Sequence, residues 1–353
     1  MDAVMVCASK GKLKNMGDYA QSLAARQFAK NPIYVNREEL DSYNGPQVRM
    51  IMNGWFMHYP DRWPPSDKIE PYFTSFHINP AVANRLLSER GVEYLKKHQP
   101  IGCRDRNTMR LLRAKGIAAY FSGCLTLTLG NVYQRKVTED ALPVFVDPPV
   151  SRPHSKCEMI RALPKNVLLF LRHPVMSFRI AKKISVLDWT VNYPYALIVL
   201  YAARFYHEYS CLFTDELLLK ADYITHSVPV DAFYTEEDRF AWMDKMMRRY
   251  SSAPFIVTGR IHCALPCLGV GVPVLYVYDA HNDGDRSEMT GGRLDGLLEL
   301  FNVAKVEKGT LRIISCANEL NRKIGLYSKF ENKDTWRPIA RALTEACSDF
   351  MKR

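Results

Sequence analysis

No segment of this sequence is suited to a membrane span, an export signal or a disulfide framework, and each absence removes a class of protein. The longest apolar run, Tyr193 to Phe205, is interrupted by Arg204 and is shorter than the roughly 20 residues that a bilayer demands. The opening MDAVMVCASKGK lacks the basic-then-apolar layout of a signal peptide and reads as a first strand running into a loop. A cytoplasmic chain is therefore expected. The nine cysteines are odd in number and include no C-x-x-C pair. That is the usage of a reducing compartment, and it argues against a structural zinc. Low-complexity tracts and fixed-period repeats are also missing.

The usual phosphate and nucleophile motifs are absent as well. Without G-x-x-x-x-G-K-[ST] or G-x-G-x-x-G, the kinase, ATPase and dehydrogenase readings lose support, and no G-x-S-x-G elbow appears. No acidic cluster calls for a metal, so neither a metal nor a cofactor is expected. What the chain does have is a net charge of +11. A basic surface attracts phosphate, whether on lipid, a nucleotide-sugar or a small anionic substrate. Zinc-finger spacing, RNP-type aromatics and a lysine-rich tail are missing, so nucleic acid is not the expected partner.

At 353 residues two medium domains are the natural prior. Strand and helix signals alternate through DAVMVCA, GDYAQSLAARQFA, VRMIMNG, PIGCRD and NTMRLLRAKG, which predicts a parallel sheet with helices on its faces. A proline-rich stretch, LPVFVDPPVSRPH, suits an interdomain connection. A second alternating series then runs through NVLLFLR, ADYITHSVP, EEDRFAWMDKMMRRY, PFIVTGR, HCALPCLGVG and VPVLYVY. The expected layout is a first domain over 1–135, a linker over 136–165, a second domain over 166–330 and a terminal helix over 331–353 that crosses back. Open parallel sheets place ligands at the carboxyl ends of their strands, so the cleft between two such domains is the expected site.

The notable residues fall at those strand ends. Arg260 and His262 follow PFIVTG and open a helix, where N–H groups, a guanidinium and an imidazole suit an anion and proton transfer near neutral pH. The plain alternative is that Arg260 pairs structurally and His262 is a buried core residue. In KNMGDYAQ, Gly17 permits close backbone approach beside Asn15, and Asp18 suits a helix N-cap. Asn53-Gly54 ends VRMIMNG. Arg104 and Asp105 close PIGCRD, and Asp105 suits a cap on the next helix. Arg172 ends NVLLFLR, and His226 ends ADYITH, as either a core or a functional histidine.

These blocks resemble a known family. GRIHCALPCLGVGVPVLYV resembles the R-[LI]-H signature of polysaccharide pyruvyl transferases, with Ile261 where leucine is more usual. NMGDYAQ resembles their N-x-G-D turn, PIGCRDRNTMRLLRAKGI their arginine–aspartate segment, and DGDRSEMTGGRLDGLLEL a further block. The resemblance implies two Rossmann-like α/β domains facing across a cleft, as in glycosyltransferase-B enzymes. It implies transfer of pyruvate from phosphoenolpyruvate onto two hydroxyls of a sugar or lipid-linked glycan, forming a cyclic ketal. It carries donor binding and catalysis onto Arg260, Ile261 through its backbone, and His262. Arg172 and His226 join the donor side by position. Asp18 would orient or deprotonate the acceptor, with Asn15, Gly17, Asn53 and Arg104 on the acceptor side. The rival readings are a nucleotide-sugar glycosyltransferase and a non-catalytic glycan-binding protein. Residues 175–219 match nothing in the family. Their basic residues, Trp189, Tyr193 and Tyr195, followed by an apolar run, suit either a helix in the second domain's core or a segment at an anionic membrane surface.

Overall fold

Apolar runs buried on both faces form two parallel sheets, and the carboxyl ends of both lead to one junction. A computed structural model describes residues 1–7, 13–153, 155–278, 292–307, 309–318 and 322–353. The strands are β1 (Asp2–Val6), β2 (Leu13–Asn15), β3 (Ile33–Asn36), β4 (Val48–Phe56), β5 (Ile69–Ile78), β6 (Ile101–Cys103), β7 (Ala119–Phe121), β8 (Val144–Val146), β9 (Asp222–Ile224), β10 (Ser227–Pro229), β11 (Ile256–Thr258), β12 (Val274–Tyr278), β13 (Asn302–Glu307) and β14 (Thr310–Ser315). The helices are α1 (Gly17–Arg26), α2 (Ala83–Leu86), α3 (Glu89–Lys97), α4 (Arg106–Ala114), α5 (Lys156–Arg172), α6 (Pro174–Ile184), α7 (Tyr195–Tyr209), α8 (Asp215–Lys220), α9 (Glu236–Ser252), α10 (Ile261–Val270) and α11 (Trp336–Lys352).

The first sheet runs β3-β1-β4-β5-β6-β7, parallel throughout. The second runs β14-β13-β12-β11-β8-β9, parallel except for β14, which is antiparallel to β13. Each sheet places its first strand between its second and third. The order therefore reverses beside β1 in one and beside β8 in the other, which is where open α/β sheets leave a crevice. The expected α/β class with two Rossmann-like sheets is what the chain forms.

Two element assignments are corrected. NVLLFLR is not a strand but the last two turns of α5, which opens at Ser155, whose Oγ accepts from Glu158 N at 3.2 Å. Asn166 and Leu169 face inward while Val167, Leu168 and Leu171 face out, a helical alternation that a short apolar run does not reveal. The true first strand of the second sheet is β8, inside the stretch 136–165 expected to be linker. Its three residues are buried between Pro143 and Pro148 and pair with β9 and β11. The chain from 175 to 219 forms α6, α7 and the start of α8. The apolar run belongs to α7, whose Val199, Ala202 and Phe205 are in the second sheet's core, and Tyr193 stacks on Tyr201. The core reading holds for α7. No helix among the described residues is long and apolar enough to cross a membrane.

The two sheets are joined by more than a linker. β2, which follows β1, pairs antiparallel with β10, which follows β9, and Met16 N donates to the His226 carbonyl at 2.9 Å. One continuous apolar core runs through α1, α9, α10 and α11. α11 returns to the first sheet, where Phe350 stacks on Tyr72 with ring centroids 5.2 Å apart. On the other flank Arg106 pairs bidentately with Glu299, Arg110 donates to Asp295 at 2.6 Å, and Arg106 N donates to the Asp295 carbonyl at 3.1 Å.

Gly130 and Gly269 let the 3-10 turn Leu125–Asn131 lie directly on α10. A β-carbon on Gly130 would lie 2.2 Å from the Gly269 carbonyl oxygen, and one on Gly269 would lie 2.3 Å from that of Leu127. Both obstacles are backbone and cannot rotate away. Gly269→Ala, which helix propensity alone would favour, is expected instead to destabilise by about 1–3 kcal/mol. Thermal unfolding beside wild type reads this out, and an unchanged or raised midpoint would contradict the close packing.

Candidate functional site

The junction is assembled from two helix starts. α1 begins at Gly17 and α10 at Ile261, each following a strand of its own half. A β-carbon on Gly17 would sit 2.9 Å from the His262 Cβ and 3.2 Å from its Nδ1. Only glycine lets the two helix ends meet. Asn15 supports the turn, its Oδ1 accepting from Gly17 N at 3.0 Å. Asp18 is not the N-cap. It is the second helical residue, Met16 occupies the cap position without a side-chain bond, and Asn15 does the capping work. The Asp18 carboxylate, about a quarter exposed, accepts from Gln21 Nε2 at 3.3 Å and lies 4.0 Å from Arg37 Nη1.

Behind Asp18, Asn53 is buried and donates from Nδ2 to the Gln21 carbonyl at 3.0 Å, bracing α1 from below. Arg37, after β3, is buried. It bonds to Glu38 at 3.1 Å and lies over the Trp55 ring at 5.0 Å.

β6 delivers Arg104 and Asp105. Asp105 caps α4 as its position suggests, Oδ1 accepting from Thr108 N at 2.9 Å. Its Oδ2 receives Nδ1 of His77, the residue before the last of β5, at 2.6 Å. Burial pushes the Asp105 carboxyl up, but His77, Arg104 and the Thr108 N–H outweigh it and keep it ionised below the usual range. Burial and Arg104 bring His77 down to about 4. The ring is therefore neutral at pH 7, with its proton on Nδ1 toward the carboxylate, and its Nε2 has no partner among the described residues. Arg104 is itself buried, and its Nε lies 3.8 Å from Asp105 Oδ2 without a hydrogen bond.

The second half contributes Arg260, His262 and His226. Arg260 is held by two acids: Nε donates to Asp147 Oδ2 at 2.9 Å, and Nη2 donates to Asp188 Oδ2. Nη2 also lies 3.4 Å from Ser227 Oγ. Asp147 ends β8 and Asp188 follows α6, so Arg260 spans the point where strand order reverses. Burial and the neighbouring Asp188 raise the Asp147 carboxyl, against the pull of Arg260. His226 ends the β9 segment. Its N donates to Asp147 Oδ2 at 2.8 Å, and its fully buried ring, beside Trp242 and Tyr250, has no partner on either nitrogen among the described residues. Burial, then Arg260, bring it to about 3.

His262 is buried, and its Nε2 is unpartnered among the described residues. Burial holds its pKa well below the ordinary value, and Arg104, Arg293, His226 and His77 push the same way. The arginines that depress this ring are thus Arg104 and Arg293, while Arg260 is engaged with its two carboxylates. Arg172 is not at the junction's strand ends. It is the exposed last residue of α5, so the positional reason for making it an anion ligand fails. Ile261 supplies the first turn of α10. Of DGDRSEMTGGRLDGLLEL, residues 283–291 lie outside the described residues.

Sequence reasoning missed His77, Arg37, Asp147, Asp188 and Arg293. The only local signal was Arg293 inside the GGR of a block already singled out. His77 and Asp147 end strands that the sequence pattern did not reveal. No group of three or more acidic, histidine or cysteine side chains able to hold a metal occurs among the described residues.

Neither a curated protein nor a solved structure matches the chain. One family model does, that of polysaccharide pyruvyl transferase, over residues 15–281. That span begins at the Asn15 turn, includes His77, Arg104, Arg260 and His262, and takes in most of the chain, which therefore belongs to the polysaccharide pyruvyl transferase family.

Proposed function

We propose that this enzyme moves pyruvate from phosphoenolpyruvate onto two hydroxyls of a glycan sugar, closing a cyclic ketal and releasing inorganic phosphate. The observation that carries the reading is His262. It is a buried imidazole whose pKa is held well below the ordinary value by burial first and then by Arg104 and Arg293, at the meeting of two helix N-termini. Such a place favours an added negative charge. A small trianion supplies it, and supports the reading over a larger, less charged donor.

Arg104, Arg293 and the first N–H groups of α1 and α10 would hold the phosphate and carboxylate. Arg260, fixed by Asp147 and Asp188, would set the entry of α10 and offer Nη1. Once the donor neutralises its neighbours, His262 can take a proton and pass it to the methylene carbon. Positive charge then develops at C2, and the first sugar hydroxyl attacks there. His77 Nε2, its Nδ1 proton anchored on Asp105, would accept the hydroxyl proton, with Asp18 orienting the sugar from the adjoining helix start. Phosphate leaves from C2, and the second hydroxyl closes the ring. One hydroxyl proton ends on the new methyl group and the other on phosphate, so charge and atoms balance. A glycosyltransferase-B-like disposition of the domains accords with the matched strand orders and the returning α11.

The roles separate in kinetics. His262→Ala should stop phosphate release while leaving the thermal midpoint near wild type, and full activity would remove the mechanism. His77→Gln should lower kcat by about 100-fold or more, with KM for phosphoenolpyruvate changed by less than about threefold. An unaltered kcat would deny His77 the part of base.

Donor binding should also take up a proton. His262 is neutral in the free enzyme because its pKa is depressed, and a bound trianion raises it. Protons therefore enter with the ligand, and affinity should rise as pH falls. Calorimetry at about pH 7.5, where the donor's phosphate is already fully ionised, in two buffers of different ionisation enthalpy would measure the uptake. His262→Gln should abolish it. Equal heats in both buffers for wild type would contradict the assignment.

A further inference from the structure

The crossover between β8 and β9 is far longer than one helix, and its outer surface is unlike the rest of the protein. α5 and α6 form a hairpin that packs inward on α7. Their outward face carries Ile160, Leu163, Val167 and Leu171 on α5, with Val175 and Phe178 on α6, all between 44% and 68% exposed except Val167 at 37%. The α5 positions are spaced by three, four and four residues, so they form one stripe along about 16 Å of helix. Exposed apolar side chains at helical spacing, on a helix already buried by its other face, mark a contact surface rather than scattered exceptions.

The charge beside the stripe identifies what it contacts. Arg161, Lys165, Arg172, Arg179, Lys182 and Lys183 stand against a single acid, Glu158, so these residues hold nearly half of the chain's net +11. Arg161, Lys165, Arg172, Arg179 and Lys182 are exposed, and none of them makes an ion pair among the described residues. Lys165 and Arg172 are close enough to help burial lower the pKa of His207 on α7. A second copy of the chain docked here by a twofold axis would bring these cations against their own kind. A surface that is apolar along its centre, cationic at its margins and nearly without acids is complementary to an anionic bilayer.

We propose that the α5–α6 hairpin seats this protein on anionic lipid, α5 lying in the headgroup plane with its apolar stripe toward the acyl chains. The hairpin is joined to the site. Its returning end leads directly to Asp188, which holds Arg260. Lipid contact would therefore present the junction to the membrane surface. The proposal stands apart from the reaction: it needs no substrate, and its readout is not activity.

The test is flotation of the full chain with vesicles of phosphatidylcholine alone and with about 30 mol % phosphatidylglycerol. Wild type should float with the anionic vesicles and stay behind with the neutral ones. The variant Leu163→Ser/Val167→Ser/Leu171→Ser and, separately, Arg172→Glu/Arg179→Glu should each weaken binding by about tenfold or more. All five positions are exposed, and an unchanged thermal midpoint confirms that each variant is folded. Failure of wild type to float with anionic vesicles overturns the proposal. So does flotation that both variants retain in full, or a self-association in sedimentation velocity that Leu171→Glu abolishes while lipid binding stays absent.

Discussion

Two positive helix ends do not meet without cause. Aligned peptide dipoles leave the start of α1 and the start of α10 each with partial positive charge, and bringing them together is unfavourable unless an anion lies between. Here they meet so closely that Gly17 has no room for a side chain beside His262. The β2–β10 ribbon and the shared core of α1, α9, α10 and α11 impose that approach. Packing energy, spread over many apolar side chains, thus maintains a small region where two helix starts favour an added anion. The candidate chemistry depends on that arrangement: burial first, and Arg104, Arg293, His226 and His77 after it, keep His262 neutral until a ligand arrives.

The arginines divide accordingly. Arg260 belongs to the signature block, yet its guanidinium is satisfied by Asp147 and Asp188. A fork held by two carboxylates is a strut between β8, α6 and α10 more than a free cation. Arg104 is the opposite case, buried beside one carboxylate that is already occupied by His77 and Thr108. Of the two, Arg104 has the greater need of an incoming anion, although the sequence pattern makes Arg260 the more conspicuous.

The fold class was legible because several strands are short apolar runs that stop at glycine or a charged residue, and the helices between them have clear faces. The meeting of Gly17 with the residues after β11 was legible only as two separate turns. What was hidden has local causes. β5 carries Glu70, Pro71, Thr74 and Ser75, which break the apolar alternation, and its register against β4 shifts near Gly54. His77, one residue before its end, therefore had no context. β8 is three residues between prolines and looks like linker until β9 and β11 flank it. Without β8, Asp147 had no strand to end, and NVLLFLR was given its place. Arg172 then inherited a role that its helix does not support. Arg37 and Asp188 come from a 3-10 turn and from an inserted crossover, where periodicity carries no information about proximity.

The returning helix α11 has a mechanical meaning. It starts beside the second sheet and ends with Phe350 against Tyr72 of the first, while Leu343 and Cys347 sit in the same apolar core as α10. A hinge between the halves would have to peel this helix away and wet a continuous seam of hydrocarbon. Parting the two halves would therefore cost the burial of that seam, so α11 works as a strap that ties them together.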